Sequence, residues 1–358
     1  MSCIGSSCQL SLALFVTNSL MMLPCTMLFY LTLQLSLAFA LRGVPPSEQK
    51  IDPTIGILTV PLDDAASPCA TLHGAGVGAS CAQTFYVKWL ESAGARAVFI
   101  PYDADDATLT ALLDGVNGVL FTGGGLENLT WSTPYMQIAA KIFDAVKAKN
   151  DDGIFFPLHG TCQGFQVLNL LASMNQSVLV DNAFDSEDLM LPLDITWDGH
   201  HSSRIFDVQT APGDIVQTLS TENCTVNMHH DGIPVSSFEA DAALADFFIL
   251  VSTNFDRAGN AFVSTVEGWE YPITATQWHP EKPAFEFRGS NNMNTSHTST
   301  GIAAMQYMAN FFVSDARRNT QAFAPGDPLF ASLSAFSTPT VGAPDVATSG
   351  YSWYLVRS

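Results

Sequence analysis

Gly160-Thr161-Cys162-Gln163-Gly164 joins two apolar runs, Ile154 to Leu158 before it and Phe165 to Ala172 after it. A short extended run that enters a helical one through two glycines, each two residues from the centre, has few ways to fold. The glycines allow a sharp strand-to-helix reversal, and the central side chain is presented at the carboxyl edge of a sheet, where α/β proteins bind ligands. That side chain is a thiol. The helix that starts there points its positive end and free backbone N–H groups at the sulfur, which suits an anionic nucleophile.

A thiol nucleophile needs a proton donor for the departing amine, and imidazole is suited to it. Gln277-Trp278-His279-Pro280-Glu281 follows the strand-like Ile273-Trp278, which places His279 at a strand end, with Glu281 in reach of its far ring nitrogen. Cys162 is thus expected as nucleophile, His279 as acid and base, and Glu281 as the group that orients it. Leu120-Phe121-Thr122-Gly123-Gly124-Gly125 reads as a strand ending in bare backbone. The N–H groups of Gly123 and Gly124, with that of Gln163, are the expected oxyanion hole.

Around these motifs short β-branched runs alternate with helical periods: Thr54-Val60, Ser80-Ala93, Ala97-Pro101, Gly118-Thr122, Pro134-Lys149 and Phe155-His159. Such alternation implies βαβ units. The second half is richer in strands, at Leu193-Trp197, Ile205-Val208, Phe248-Thr253, Ala261-Glu267 and Ile273-Trp278, and closes with a helix over Gly301-Arg318. The expected fold is α/β: a doubly wound, mostly parallel sheet with flanking helices and an antiparallel extension.

The two ends differ from this body. Residues 1–41 hold no charged residue or histidine, and Met27 to Ala40 is an apolar run closing on Ala38-Phe39-Ala40, the small-x-small pattern of a cleavage site. Residues 1–40 are expected to be a secretory signal, leaving no stable membrane span; a start at Met21 or Met22 and retention as an anchor stay open. Asn128, Asn175, Asn223 and Asn294 each open an Asn-x-Ser/Thr acceptor for N-glycosylation, which fits passage through a lumen. Cys69 and Cys81 flank a Gly-rich loop and are either bridged or reduced. The catalytic domain is read as 41–319. Residues 320–358 are Ala-, Ser-, Thr- and Pro-rich and are expected to be a flexible tail, with docking of Tyr351, Trp353 and Tyr354 left open. The formal net charge is −20, from 14 Lys+Arg against 34 Asp+Glu; it repels phosphate backbones and excludes nucleic acid as a partner.

These residues resemble the class I glutamine amidotransferase fold and, within it, the γ-glutamyl hydrolases. The closer likeness is carried by Tyr86-Val-Lys-Trp-Leu-Glu-Ser-Ala-Gly-Ala-Arg96, Asn117-Gly-Val-Leu-Phe121, Val263-Ser-Thr-Val-Glu-Gly268 and Trp278-His-Pro-Glu-Lys-Pro283. The resemblance implies hydrolysis of the γ-linked glutamate chain of folylpoly-γ-glutamates, without metal or other cofactor, in the extracellular space, a lysosome or a vacuole. It matches Cys162 to the nucleophile, His279 to the proton donor and His229 to a second histidine near the substrate; a homodimer stays open. His159 departs from the family, where an aromatic residue is usual, and is expected to fill the same space. The substrate is a polyanion, so a local cation is required, and Arg204 is the candidate. The competing readings are a glutaminase module that passes ammonia to a synthetase, and a catalytically silent secreted binding protein.

Overall fold

The pentapeptide TIGIL forms β1 (Thr54–Leu58) and is buried at every position, as a strand covered on both faces must be. The computed structural model describes residues 49–62, 79–287, 295–342 and 352–357, all inside the compact unit Pro46–Ser358. The expected signal at 1–40, Cys69 and Asn294 lie outside the described residues. Beyond β1 the first half runs β2 (Val60–Pro61), β3 (Ala79–Gln83), α1 (Thr84–Ser92), β4 (Arg96–Ile100), α2 (Asp106–Gly115), β5 (Gly118–Phe121), α3 (Pro134–Asp151), β6 (Leu158–Thr161) and α4 (Gln163–Ser173). The second half continues with β7 (Ser186–Leu191), β8 (Asp194–Ile195), α5 (Trp197–His201), α6 (Gly213–Thr221), β9 (Thr225–His229), α7 (Val235–Ala240), α8 (Ala242–Phe247), β10 (Phe248–Phe255), β11 (Ala261–Gly268) and β12 (Ile273–Thr276). It ends in α9 (Ser299–Ala316), α10 (Pro328–Leu333), β13 (Thr340–Gly342) and β14 (Ser352–Arg357).

Eight strands form the central sheet in the order β4-β1-β5-β6-β12-β11-β10-β8. The first five are mutually parallel, and β11, β10 and β8 extend the sheet by antiparallel pairing, so the expected α/β architecture holds. What matters for chemistry is that β5, β6 and β12 are neighbours. Phe121 pairs with Gly160 and Thr161 with Thr276, which brings the Gly-rich loop, the thiol turn and the His279 segment out at one edge.

Two expected elements differ. The helical period over Ser80-Ala93 yields helix only from Thr84, because Ala79–Gln83 pairs with β14 on one side and β2 on the other. Ile205-Val208 is a turn rather than a strand, buried at Ile205 and Phe206 and exposed at Val208: the Arg204 N–H donates to Glu267 Oε2 at 2.7 Å, and Tyr307 Oη donates to the Ile205 carbonyl at 2.7 Å. Tertiary partners outweigh local β propensity there.

The tail is not the free extension expected, in so far as it is described. Asp327 caps α10 by accepting the N–H groups of Leu329 and Phe330, and Ala335 donates to the Ala97 carbonyl of edge strand β4 at 3.1 Å. Strand β14 pairs with β3 from Trp353–Gln83 to Arg357–Ala79; Trp353 is buried, and the Tyr354 ring packs 5.1 Å from that of Phe99. Covering edge strands in this way blocks unwanted strand pairing. Trp353→Ala is expected to cost about 3–5 kcal/mol, read as a lower urea midpoint. A loss below about 1 kcal/mol would mean that β14 is not docked in solution.

Candidate active site

Cys162 stands between β6 and α4 with φ 53° and ψ −107°, a region costly for a side-chain-bearing residue and found where the fold over-determines the turn. The flanking glycines supply that determination. A Cβ on Gly160 would lie 2.6 Å from the Gly164 carbonyl oxygen, and one on Gly164 would collide with the Phe121 backbone of β5. The turn is pinned by bonds from Cys162 N–H to the Thr276 carbonyl at 2.8 Å and from Gly164 N–H to the Thr122 carbonyl at 3.1 Å.

His279 leaves β12 and donates its N–H to the Val226 carbonyl of β9 at 2.9 Å. Its Nδ1 bonds Glu281 Oε1 at 2.7 Å, which leaves Nε2 available on the ring whose Cε1 lies 2.9 Å from the point where a Gly123 Cβ would sit, a point 3.3 Å from Cys162 Cβ. The three residues expected to carry the chemistry are therefore brought together at one edge of the sheet. Burial alone would lower the His279 pKa, but Glu281 and Cys162 outweigh it and raise it to about 9. Burial acts on Glu281 in the opposite sense, and the charges of His279 and Lys282 overcome it, so its carboxyl stays below the usual range. An imidazolium held by a buried carboxylate and set against a sulfur is a proton donor ready for a leaving amine.

The expected oxyanion hole needs one correction. The Gly123 N–H is already given to Tyr86 Oη at 2.7 Å, so it is not free for an oxyanion in this arrangement. Gly123 serves by its size: a Cβ there would sit 2.7 Å from Tyr86 Oη, 2.9 Å from His279 Cε1 and 3.3 Å from Cys162 Cβ. The Gln163 N–H is among the free donors of the first turn of α4, while its side chain grips the loop through Leu126 N–H to Oε1 at 3.2 Å and Nε2 to the Leu126 carbonyl at 2.9 Å.

Tyr86 was not singled out as a site residue in the sequence. It is fully buried on α1, and burial first, then the charges of Glu281 and Cys162, push its phenol well above the ordinary value. Its signal was its place in the helical period of α1, which reads as core.

His229 ends β9, the strand whose Met228 carbonyl lies 4.0 Å from Cys162 Sγ. Its Nδ1 bonds the Asp231 carbonyl at 3.0 Å, which fixes the proton there and makes Nε2 an acceptor. That Nε2 is buried without a partner among the described residues. Burial is the main cause that lowers its pKa to about 3, and the charge of His279 contributes. His229 is therefore a neutral imidazole within electrostatic reach of the site.

Arg204 is not at the site. Its guanidinium bonds Glu267 at 2.8 Å and Asp315 at 2.7 Å. Glu267 pairs with Thr274 at the start of β12, whereas His279 follows its end, so Arg204 sits at the other edge of the sheet. Its sequence neighbourhood gave no indication of which edge it would reach. Asn128, Asn175 and Asn223 are exposed. Cys81 is disulfide-bonded, and Cys162 and Cys224 are the free cysteines among the described residues.

A family model for Peptidase C26 matches residues 53–281. The chain is 35% identical over 288 residues to gamma-glutamyl hydrolase B of Dictyostelium discoideum, covering 80% of this chain and 79% of that protein. It is 39% identical over 238 residues to gamma-glutamyl hydrolase of Mus musculus, covering 66% and 72%, and 36% identical over 238 residues to that of Homo sapiens, covering 66% and 71%. Among solved structures, PurLQS from Thermotoga maritima aligns over 73% of this chain and 98% of that chain, with a TM-score of 0.42 and 14% identity. Cys162, His279 and Glu281 all fall inside the family match, and with identities of this size over most of the chain the protein belongs to the Peptidase C26 family.

Proposed function

We propose that this protein hydrolyses the γ-linked glutamate chain of folylpoly-γ-glutamates through a thioester on Cys162. The observation that carries the reading is the buried Glu281–His279 pair set beside Cys162 on its strained turn. The sulfur adds to the side-chain carbonyl of a γ-linked glutamate, and the oxygen that becomes negative is held by the N–H groups of Gly124 and Gln163 at the positive end of α4. Protonated His279 gives its proton to the leaving amine, the C–N bond breaks and the thioester remains. The imidazole, now neutral, takes a proton from water as the water attacks, and returns it to the departing thiolate. The Nε2 of His229 is suited to accept a hydrogen bond from the α-amide N–H of the γ-glutamyl residue under attack.

The compartment proposed is the secretory pathway, ending in the extracellular space, a lysosome or a vacuole. Two features support it: the disulfide at Cys81 fits an oxidising lumen, and three acceptor asparagines are exposed. The test of function is incubation with pteroylpenta-γ-glutamate and chromatography of the products. Shortening of this substrate, with an α-linked pentaglutamate left intact, is the expected result; release of glutamate from free glutamine alone would favour a glutaminase instead.

A further inference from the structure

His159 occupies β6 three residues before Cys162, and the reaction as derived does not use it. Its ring fills a slot between Trp89 of α1, with centroids 5.7 Å apart, and Phe312 of α9, at 5.5 Å. A phenyl ring would fill this slot without burying polar nitrogen, so an imidazole there costs free energy unless its nitrogens are used. One is: Nδ1 lies 2.8 Å from Thr274 Oγ1 of β12. The other, Nε2, is buried without a partner among the described residues, and so are Thr161 Oγ1 and Glu281 Oε2.

These three atoms share one side of the sheet. Thr161 follows His159 by two residues in the same strand, so both side chains project to the same face. His159 packs on α1, and Glu281 acts electrostatically on both His159 and Tyr86 of α1. Glu281 has spent Oε1 on His279; Tyr86 Oη accepts the Gly123 N–H and its hydroxyl acts on the same carboxylate, while Oε2 is without a partner among the described residues and has lone pairs for a further donor. Three unpaired buried polar atoms of this kind are what an internal water commonly satisfies.

We propose that His159 is a positioning residue for the reaction: its Nε2–H, together with Thr161 Oγ1, holds the free Oε2 of Glu281 through one internal water, and so fixes the carboxylate that orients His279. The arrangement requires the Nε2–H tautomer, with Thr274 Oγ1 donating to Nδ1. His159 stays neutral for this role, since burial lowers its pKa to about 4, against a smaller opposing effect of Glu281. The titratable groups on the surrounding elements are Tyr86, Lys88 and Glu91 on α1, Asp315 on α9, His279, Glu281 and Lys282 past β12, and Cys162 past β6. Asp315 is held by Arg204, and Lys282 by Glu286.

The inference rests on the Cys162–His279–Glu281 assignment, which Cys162→Ser tests separately. The experiment compares full-length wild type, H159F and H159Q, with melting temperature, kcat, KM and the pH profile of kcat/KM. H159F keeps the ring in its slot and removes the donor. It is expected to lose about 10- to 100-fold in kcat with KM within twofold. Its acid limb moves up by about one pH unit, because Glu281 protonates more readily without its donor. H159Q places an amide N–H near the same point and is expected to recover most of the loss. A folded H159F with wild-type kcat and acid limb overturns the proposal while leaving the nucleophile assignment intact, and so does an H159Q no better than H159F. If H159F does not fold, nitrogen NMR of the wild-type imidazole decides: Nε2–H supports the proposal and Nδ1–H overturns it.

Discussion

Cys162→Ser is expected to lower kcat/KM on a γ-glutamyl substrate by about 10⁵-fold while leaving the melting temperature within about 2 °C. The two side chains are of similar size, and the polar Met228 carbonyl 4.0 Å from the buried Cys162 Sγ can accept a hydroxyl in its place. Stability is therefore set by the unchanged backbone turn, which Gly160 and Gly164 impose. Chemistry is not preserved, because an alcohol is a far weaker nucleophile at neutral pH than a thiol beside an imidazolium. Substrate binding should survive, so tight binding without turnover is the signature. A variant retaining more than about one-tenth of the activity would place the nucleophile elsewhere.

Glu281→Gln is the second large effect, at about 10³-fold in kcat. The carboxylate is fully buried and bonds Nδ1 at 2.7 Å, so the amide removes a charge and keeps the shape. The imidazole then loses a principal cause of its raised pKa. In the wild type His279 is protonated up to about pH 9; donor catalysis is present below that value and is lost as pH rises through it. In the variant the alkaline limb of kcat/KM moves down, toward the ordinary histidine value of about 6.5. The pH-rate profile checks this directly, and an unshifted limb would mean that Glu281 does not set the charge of His279.

The thiol turn, the His279 segment and the mostly parallel sheet were legible because each is written locally. Glycine spacing around Cys162 dictates the reversal, and a strand end is visible where Ile273-Trp278 meets Pro280. Other parts of the site depend on pairings that the chain makes at long range. Tyr86 meets Gly123 across 37 residues, and no local pattern separates a core tyrosine from one that takes the proposed oxyanion donor. Strand β3 meets β14 only after the whole domain has intervened, which is why Ser80–Gln83 falls within a helical period in the sequence and the docking of Trp353 and Tyr354 stays open there. Arg204 was misplaced for a related reason, since its position relative to β12 follows from the antiparallel turn of β11, and charge patterning does not report which end of a sheet a residue reaches.

The chemistry depends on Cys162 being far more reactive than the other free cysteine described, and alkylation by iodoacetamide at pH 7, resolved by peptide mass spectrometry, measures that. Both are buried, but the Cys224 pKa is pushed up to about 11 chiefly by that burial, whereas Cys162 stands beside the raised-pKa imidazole of His279, so Cys224 should react slowly. Cys162 is predicted to be labelled at least about 100-fold faster, with the rate falling in Glu281→Gln. Equal labelling of Cys162 and Cys224 would contradict the account.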